Sequence, residues 1–154
     1  MSNLKEGDQA PGISLVTDSG DHFELSALKG QNVVLYFYPK ADTPGCTKEA
    51  CEFRDTSKKF SMANTVIVGV SPDPERAQAK FKDKFDLPFV LLADTEHKAA
   101  EAYGVWKEKS MYGKKYMGIE RSTFVIDAAG KVKRIFPKVK VEGHAEEVLA
   151  AVGE

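Results

Sequence analysis

Hydrophobic residues along the chain gather in short runs that are separated by amphipathic stretches. The runs at 33–38, 65–70 and 89–92 are rich in Val, Ile, Leu and Phe and have the length of buried strands. Between them, hydrophobic residues recur at helical spacing, which predicts helices over about 44–62 and 73–85. Strands therefore alternate with helices through this part of the chain.

The two ends of the chain carry hairpin patterns. Near the N-terminus, the runs 13–16 and 22–25 flank a Ser-Gly turn signal. Toward the C-terminus, a strand at 122–126 is expected to pair with 132–139 across a glycine-containing turn. A last helix follows Gly143.

The remaining segments complete an α/β pattern. Asp73 is a predicted cap of the second helix, and Thr95 is a predicted cap of a short helix at 96–103. The stretch 105–118 is rich in lysine and glycine and is predicted to be a loop. We expect one domain over 1–154, an α/β sandwich in which helices flank a mixed central sheet that carries an N-terminal hairpin.

Composition narrows the classes of function. The net charge of −1 and the lack of a basic run argue against nucleic acid or an anionic membrane as the main partner. The apolar runs are too short to span a bilayer. The N-terminal residues are polar and show no signal-peptide pattern, so we expect a cytoplasmic protein.

Both cysteines of the chain, Cys46 and Cys51, follow the first buried strand. Thr43 is a good helix N-cap and Pro44 suits the first helical position. This places Cys46 in the first helical turn, where unpaired N–H groups and the positive end of the helix dipole favour a thiolate. The thiolate is the reactive form of cysteine, so Cys46 is a candidate nucleophile.

The spacing of the cysteines restricts what they can do together. Five helical residues rise about 7.5 Å and turn through about 140°, which leaves the two Cα atoms about 8–9 Å apart. A disulfide needs less than about 7 Å. Either Cys46 and Cys51 never bond, or the first helical turns unwind.

Other interpretations of the cysteines remain open at this point. Each can be a small buried hydrophobe, although only Cys46 lies on the inner stripe of the helix and Cys51 lies well off it. A zinc site is disfavoured by the spacing and by the scattered positions of His22, His97 and His144, which we expect to be ordinary surface or partly buried residues. A thioredoxin-type dithiol exchanger would need a Cys-x-x-Cys pair.

A nucleophilic Cys46 needs donors that stabilise negative charge on the sulfur and on a leaving group. The Thr43 hydroxyl is one candidate. Arg121, at the entrance to an apolar strand, is the best candidate guanidinium, and Arg54 competes with it. Pro39 ends its strand and can shield the site, since proline cannot donate to a sheet.

At these residues the sequence resembles the peroxiredoxins, through the pattern Pro39-x-x-x-Thr43-x-x-Cys46 and through Arg121. Within that superfamily it is similar to the bacterioferritin comigratory protein, or peroxiredoxin Q, branch. The resemblance covers nearly the whole chain. The segments that carry the narrower match are 38–55, 103–106 and 118–127.

The resemblance implies a thioredoxin-like fold and a thiol-dependent peroxidase that acts on hydrogen peroxide and organic hydroperoxides without a metal or organic cofactor. It implies that Cys46 is the peroxidatic cysteine, that Thr43 and Arg121 activate it and bind peroxide, and that Pro39 shields it. It further implies a monomer that thioredoxin, or a similar dithiol, reduces.

The branch also bears on Cys51. Some members have a resolving cysteine at this position, and the next predicted helix contains no other candidate. The resemblance thus implies a Cys46–Cys51 disulfide that forms after the helix start unwinds. A non-enzymatic peroxide sensor would use the same residues, and a thiol–disulfide reductase remains a third interpretation that an insulin-reduction assay tests.

Overall fold

A seven-stranded mixed sheet forms the centre of the computed structural model, which describes residues 4–154. The strands lie in the order β2-β1-β5-β4-β3-β8-β9, while β6 and β7 form a separate two-stranded sheet. The central strands β3, β4 and β5 are parallel, whereas β1, β8 and β9 pair antiparallel with their neighbours. The strands are β1 Ser14–Thr17, β2 His22–Glu24, β3 Asn32–Phe37, β4 Thr65–Ser71, β5 Val90–Ala93, β6 Trp106–Met111, β7 Lys114–Ile119, β8 Ser122–Ile126 and β9 Val132–Phe136.

Two hydrophobic layers cover the faces of this sheet. On β3, Tyr36 points into the layer formed by helices α1, α2 and α4, and Phe37 points into the layer formed by α3 and the N-terminal segment. The four helices are α1 Pro44–Met62, α2 Glu75–Phe85, α3 Lys98–Ala102 and α4 His144–Val152, and a 3₁₀ turn covers Leu25–Leu28. The predicted α/β fold with a mixed sheet and an N-terminal hairpin is confirmed.

The prediction of a loop at 105–118 is wrong. This stretch forms the β6–β7 hairpin, whose tip residues Tyr112 and Gly113 both have positive φ, 52° and 79°. Two consecutive positive φ values suit the two-residue turns that join antiparallel strands. The strands carry mostly lysine, methionine and tyrosine exposed on both faces, so the hydrophobic alternation of a half-buried strand is missing.

Of the three predicted helix caps, one is confirmed and two are wrong. Thr43 occupies the N-cap position of α1 as predicted, although its side chain makes no cap hydrogen bond. Pro74, not Asp73, precedes α2. Helix α3 is shorter than predicted, and His97, not Thr95, occupies its N-cap position. The two carboxylate oxygens of Asp94 accept from the amides of Ala99 and Ala100 at 3.1 and 2.9 Å.

None of the helices in the described part of the chain combines the length and apolar composition needed to cross a membrane.

Candidate active site

The site lies at the edge of the sheet where β3 ends and α1 begins. Because β8 is antiparallel to β3, with Ser122 opposite Phe37, the start of β8 lies beside the end of β3. Cys46 lies at this edge in the first turn of α1, and Arg121 lies there as the residue that directly precedes β8. Sheet topology thus brings together two residues that are 75 positions apart.

Arg121 contacts the cysteine sulfur directly. Its Nη2 lies 3.3 Å from Cys46 Sγ, and its Nη1 donates to Glu49 Oε1 at 2.7 Å. Cys46 is 1% exposed and the Arg121 side chain is 18% exposed. The guanidinium therefore spans two groups one helical turn apart, and its charge stabilises negative charge on the sulfur.

The start of α1 adds a second source of positive potential. Thr47 donates the first helical bond, to the Thr43 carbonyl at 2.8 Å, so the amides of Gly45 and Cys46 precede the helical ladder. Gly45 also makes room for the arginine, because a Cβ at this position would lie 3.2 Å from Arg121 Nη2.

Glu49 is the main site residue that the sequence interpretation missed. It is 1% exposed, and its Oε2 is buried without a hydrogen-bond partner. Burial raises the pKa of Glu49 to about 7, and Arg121 opposes that rise. Its position could have indicated a role in the site, because Glu49 is a charged residue three positions after Cys46 on the inner face of the helix. A carboxylate that is buried there requires a partner.

Tyr36 lies under the same region of the helix. Its ring stacks on Phe53 at a centroid distance of 4.7 Å, and its buried hydroxyl has no hydrogen-bond partner. Burial raises the pKa of Tyr36 well above its ordinary value, and the proximity of Tyr38, Glu49 and Cys46 adds to the effect. Tyr36 therefore stays neutral at physiological pH.

Thr43 and Pro39 lie on the loop between β3 and α1. The Thr43 hydroxyl donates to the Lys40 carbonyl at 2.8 Å, which leaves its oxygen lone pairs able to accept from a ligand. Pro39 is half-buried, directly after Tyr38, whose amide still donates to β4 at the Val70 carbonyl. No contact of either residue with Cys46 is seen among the hydrogen bonds of the described chain.

Asp73 fixes this loop from the neighbouring strand end. Its Oδ2 accepts from the Ala41 amide at 2.7 Å and from the Ser71 hydroxyl at 2.6 Å. Gln78 donates to the same Ser71 hydroxyl at 2.7 Å and accepts from Tyr38. A buried polar network thus connects the loop to α2 and to the end of β3.

Cys51 and Arg54 lie further along α1. Both cysteines are free thiols, and Cys51 is half-buried. The helix is continuous through both cysteines, so the structure represents the reduced form. Arg54 donates to the Phe85 carbonyl and to Asp55, at 2.8 and 3.0 Å, so it does not compete with Arg121 for the sulfur.

The expectation that His144 is a surface or partly buried residue is wrong. It is 2% exposed, lies within 2.7 Å of the Thr123 hydroxyl and pairs with Glu147 at 2.9 Å. Burial lowers its pKa, and Glu147 opposes that shift. Among residues 4–154, no three His, Cys, Asp or Glu side chains are grouped so that they could hold a metal ion.

A cysteine at a helix start, held by an arginine at the carboxyl edge of parallel strands, defines a thiol-based redox protein of thioredoxin-like architecture. The model of the AhpC/TSA family matches residues 6–135, and the chain belongs to that family. It is 54% identical over 146 residues to peroxiredoxin Bcp of Bacillus subtilis strain 168, an alignment that covers 95% of this chain and 93% of the relative. It is 44% identical to peroxiredoxin Bcp of Escherichia coli K12, with 97% and 96% of the two chains covered.

Solved structures agree with these relatives. The bacterioferritin comigratory protein of Xanthomonas campestris, described for alkyl peroxide reduction, is 38% identical and superposes with a TM-score of 0.90, covering 99% of this chain and 98% of the other. A cysteine-to-serine mutant of Xylella fastidiosa PrxQ is 36% identical, with a TM-score of 0.94 and the same coverage. The predicted branch is confirmed, and the chain is a thiol-dependent peroxidase.

Proposed function

We propose that Cys46 is the peroxidatic cysteine and that it reduces hydrogen peroxide and organic hydroperoxides. The observation that carries this assignment is the 3.3 Å contact between Arg121 Nη2 and Cys46 Sγ at the start of α1. Arg54 lies near enough to Cys51 to interact with it electrostatically, but its described hydrogen bonds go to Asp55 and to the Phe85 carbonyl and not to the sulfur. Of the two cysteines, only Cys46 combines a fixed guanidinium with helix N-terminal amides.

The first step is an in-line displacement at oxygen. The Cys46 thiolate attacks the peroxide, an S–O bond forms, the O–O bond breaks and its electron pair leaves with the second oxygen, which takes up a proton as water or alcohol. Arg121 and the amides of the first turn stabilise the charge on that oxygen as it develops. Thr43 accepts the peroxide O–H, and Pro39 limits the access of water.

The second step uses Cys51. Its thiolate attacks the sulfur of the Cys46 sulfenic acid, an S–S bond forms, the S–O bond breaks and water leaves. The intact α1 keeps the two sulfurs apart, so its first turns unwind before this step. Thioredoxin, or a similar dithiol, then reduces the disulfide by thiol–disulfide exchange. The protein acts as a monomer in the cytoplasm, without a metal or organic cofactor.

Steady-state peroxide consumption with thioredoxin and thioredoxin reductase tests this proposal. Cys46→Ser is expected to abolish turnover, while Cys51→Ser is expected to keep the first peroxide reduction and lose recycling. Peptide mapping without reductant after one equivalent of peroxide should recover a Cys46–Cys51 bridge. Full activity in Cys46→Ser would refute the nucleophile, and absence of the bridge would refute the resolving role.

A further inference from the structure

The β6–β7 hairpin borders the site without belonging to the central sheet. Its two strands pair only with each other in the described sheet topology. The amide of Glu120 donates to the Val105 carbonyl at 2.8 Å, which closes the base of the hairpin. Arg121, whose guanidinium contacts Cys46, is the next residue after Glu120. The base of the hairpin is therefore fixed next to the reacting sulfur.

This hairpin concentrates the exposed hydrophobic surface of the protein. The described chain has six exposed large hydrophobic side chains, and four of them are on the hairpin. They are Met111 at 56%, Tyr112 at 98%, Tyr116 at 44% and Met117 at 48% exposure. Grouped exposed hydrophobic side chains mark interaction sites, and tyrosine and methionine are enriched at protein interfaces.

The hairpin is also basic in a protein with a net charge of −1. Residues 106–119 contain four lysines and one glutamate, a net charge of +3. Lys115 pairs with Glu108 and Lys107 pairs with Glu120, at 3.6 and 3.3 Å. Lys109 and Lys114 take part in no ion pair among the described residues.

The two unpaired cations share one face with apolar side chains. Lys109 lies opposite Tyr116 and Met111 lies opposite Lys114 in the antiparallel register, and residues two apart on a strand point the same way. We call these four residues the hairpin face. Such a mixed surface is complementary to an acidic protein surface that carries a small apolar patch.

We propose that the hairpin face is the docking surface for an acidic protein dithiol that reduces the Cys46–Cys51 disulfide. This inference rests on the proposed function. A partner thiolate attacks one sulfur of the disulfide and forms a mixed disulfide, and the second partner thiol attacks that bond, which leaves Cys46 and Cys51 reduced and the partner oxidised. That exchange requires the partner to reach the edge of the sheet from which the hairpin extends.

A protein partner suits this face better than a lipid surface. The apolar side chains alternate with the cations along two strands, and only Tyr112 is almost fully exposed at the tip. A membrane anchor would present a contiguous apolar face with the cations at its border. The positive field would also accelerate encounter with an acidic partner, and salt would weaken that effect.

Charge reversal on the hairpin face tests the proposal. The variant is Lys109→Glu/Lys114→Glu, and its matched control is Lys29→Glu/Lys131→Glu, two exposed lysines near the β8–β9 turn at the opposite edge of the sheet. Peroxide turnover is measured with an acidic thioredoxin and its reductase, and in parallel with dithiothreitol. We expect the hairpin variant to raise the KM for thioredoxin about tenfold and to leave the dithiothreitol-dependent rate unchanged.

The wild-type protein provides a second measurement that needs no substitution. Its kcat/KM for thioredoxin should fall as NaCl is raised from about 20 to about 300 mM, on the order of tenfold, while the rate with dithiothreitol stays constant. An unchanged KM in the hairpin variant, or an equal rise in the control variant, would overturn the proposal. So would a salt-independent kcat/KM.

Two further results would assign the face to another occupant. Binding of the wild type, but not of the hairpin variant, to phosphatidylglycerol vesicles with an unchanged KM for thioredoxin would indicate a lipid surface. A wild-type dimer that dissociates in the variant, again with an unchanged KM, would indicate a second copy of the chain. Failure of the proposed function looks different, because the wild type would then consume no peroxide even with dithiothreitol.

Discussion

We expect Glu49 to couple the proposed unwinding of α1 to protonation, because it lies between the two cysteines and must leave its buried site for them to meet. In the folded helix it is 1% exposed, and burial raises its pKa from 4.5 to about 7, against the opposing effect of Arg121. In the unwound segment the carboxyl returns to water and to its ordinary pKa. The perturbation that isolates this effect is Glu49→Gln.

The raised pKa of Glu49 determines how the stability of the helix start changes with pH. The folded helix holds a proton on Glu49 up to a pH of about 7, whereas the unwound segment releases it near 4.5. The stability of the folded helix start is therefore fully present below pH 4.5 and is lost as the pH rises to about 7. A shift of this size corresponds to a free energy on the order of 3 kcal/mol.

Other titrating groups near Glu49 determine the design of the assay. Cys46 shares the Arg121 guanidinium and Glu52 lies nearby on the same helix, whereas Tyr36 stays neutral. Cys46→Ser therefore serves as the background. Glu52→Gln in that background is the matched control, because it makes the same substitution on the same helix without the buried ion pair.

Hydrogen exchange measured by mass spectrometry on peptides that cover 44–52 reports the opening of the helix start. From about pH 5 to about pH 8, after correction for intrinsic exchange, the opening free energy in Cys46→Ser is expected to fall by about 2 kcal/mol or more. Glu49→Gln should remove this dependence and Glu52→Gln should retain it. An unchanged slope in Glu49→Gln, or a helix start that gains protection as the pH rises, would refute the coupling.

Three further substitutions test the geometry of the site. Arg121→Lys keeps the positive charge but loses the planar guanidinium that contacts Cys46 and Glu49 together. The stopped-flow rate of peroxide reduction should fall about 10²-fold, and an unchanged rate would show that charge alone suffices. Gly45→Ala places a Cβ 3.2 Å from Arg121 Nη2 and should slow peroxide reduction, even though alanine favours a helix by up to about 1 kcal/mol in urea unfolding. Asp73→Ala removes the acceptor of the Ala41 amide and should cost about 1–3 kcal/mol in the same urea assay, a loss that Asp83→Ala on exposed α2 surface should not reproduce.

Local sequence was sufficient to predict the helix that carries Cys46 and the burial of this residue. Three short-range signals predict this helix: the strand before Pro39, the proline at the first helical position and the inward spacing of Cys46, Ala50 and Phe53. The structure confirms α1 from Pro44 to Met62. The contact between Arg121 and Cys46 could be proposed from resemblance, but its geometry depends on the antiparallel pairing of β8 with β3.

Features that depend on distant partners could not be predicted in the same way. Asp73 has the composition of a helix cap, yet its carboxylate accepts from the Ala41 amide, which is distant in sequence. The Thr43 hydroxyl instead donates to the nearby Lys40 carbonyl, a local bond that competes with capping. The β6–β7 hairpin is exposed on both faces. Because neither face packs on the core, its sequence lacks the alternation of hydrophobic and polar residues that predicts a strand. Glu49 was recognisable as a buried charge, but its partner was not.

Packing limits how far α1 can unwind to form the proposed Cys46–Cys51 disulfide. Phe53 is 0% exposed and stacks on Tyr36, and removing such a ring from a core costs about 3–5 kcal/mol. From 44 to 52, the buried side chains are only Cys46, Glu49 and Ala50, of which the carboxylate gains by exposure and alanine loses little. The unwinding should therefore stop before Phe53. In hydrogen exchange of the oxidised protein, 44–52 should lose protection and the helix from Phe53 onward should keep it; loss of protection beyond Phe53 would contradict this boundary.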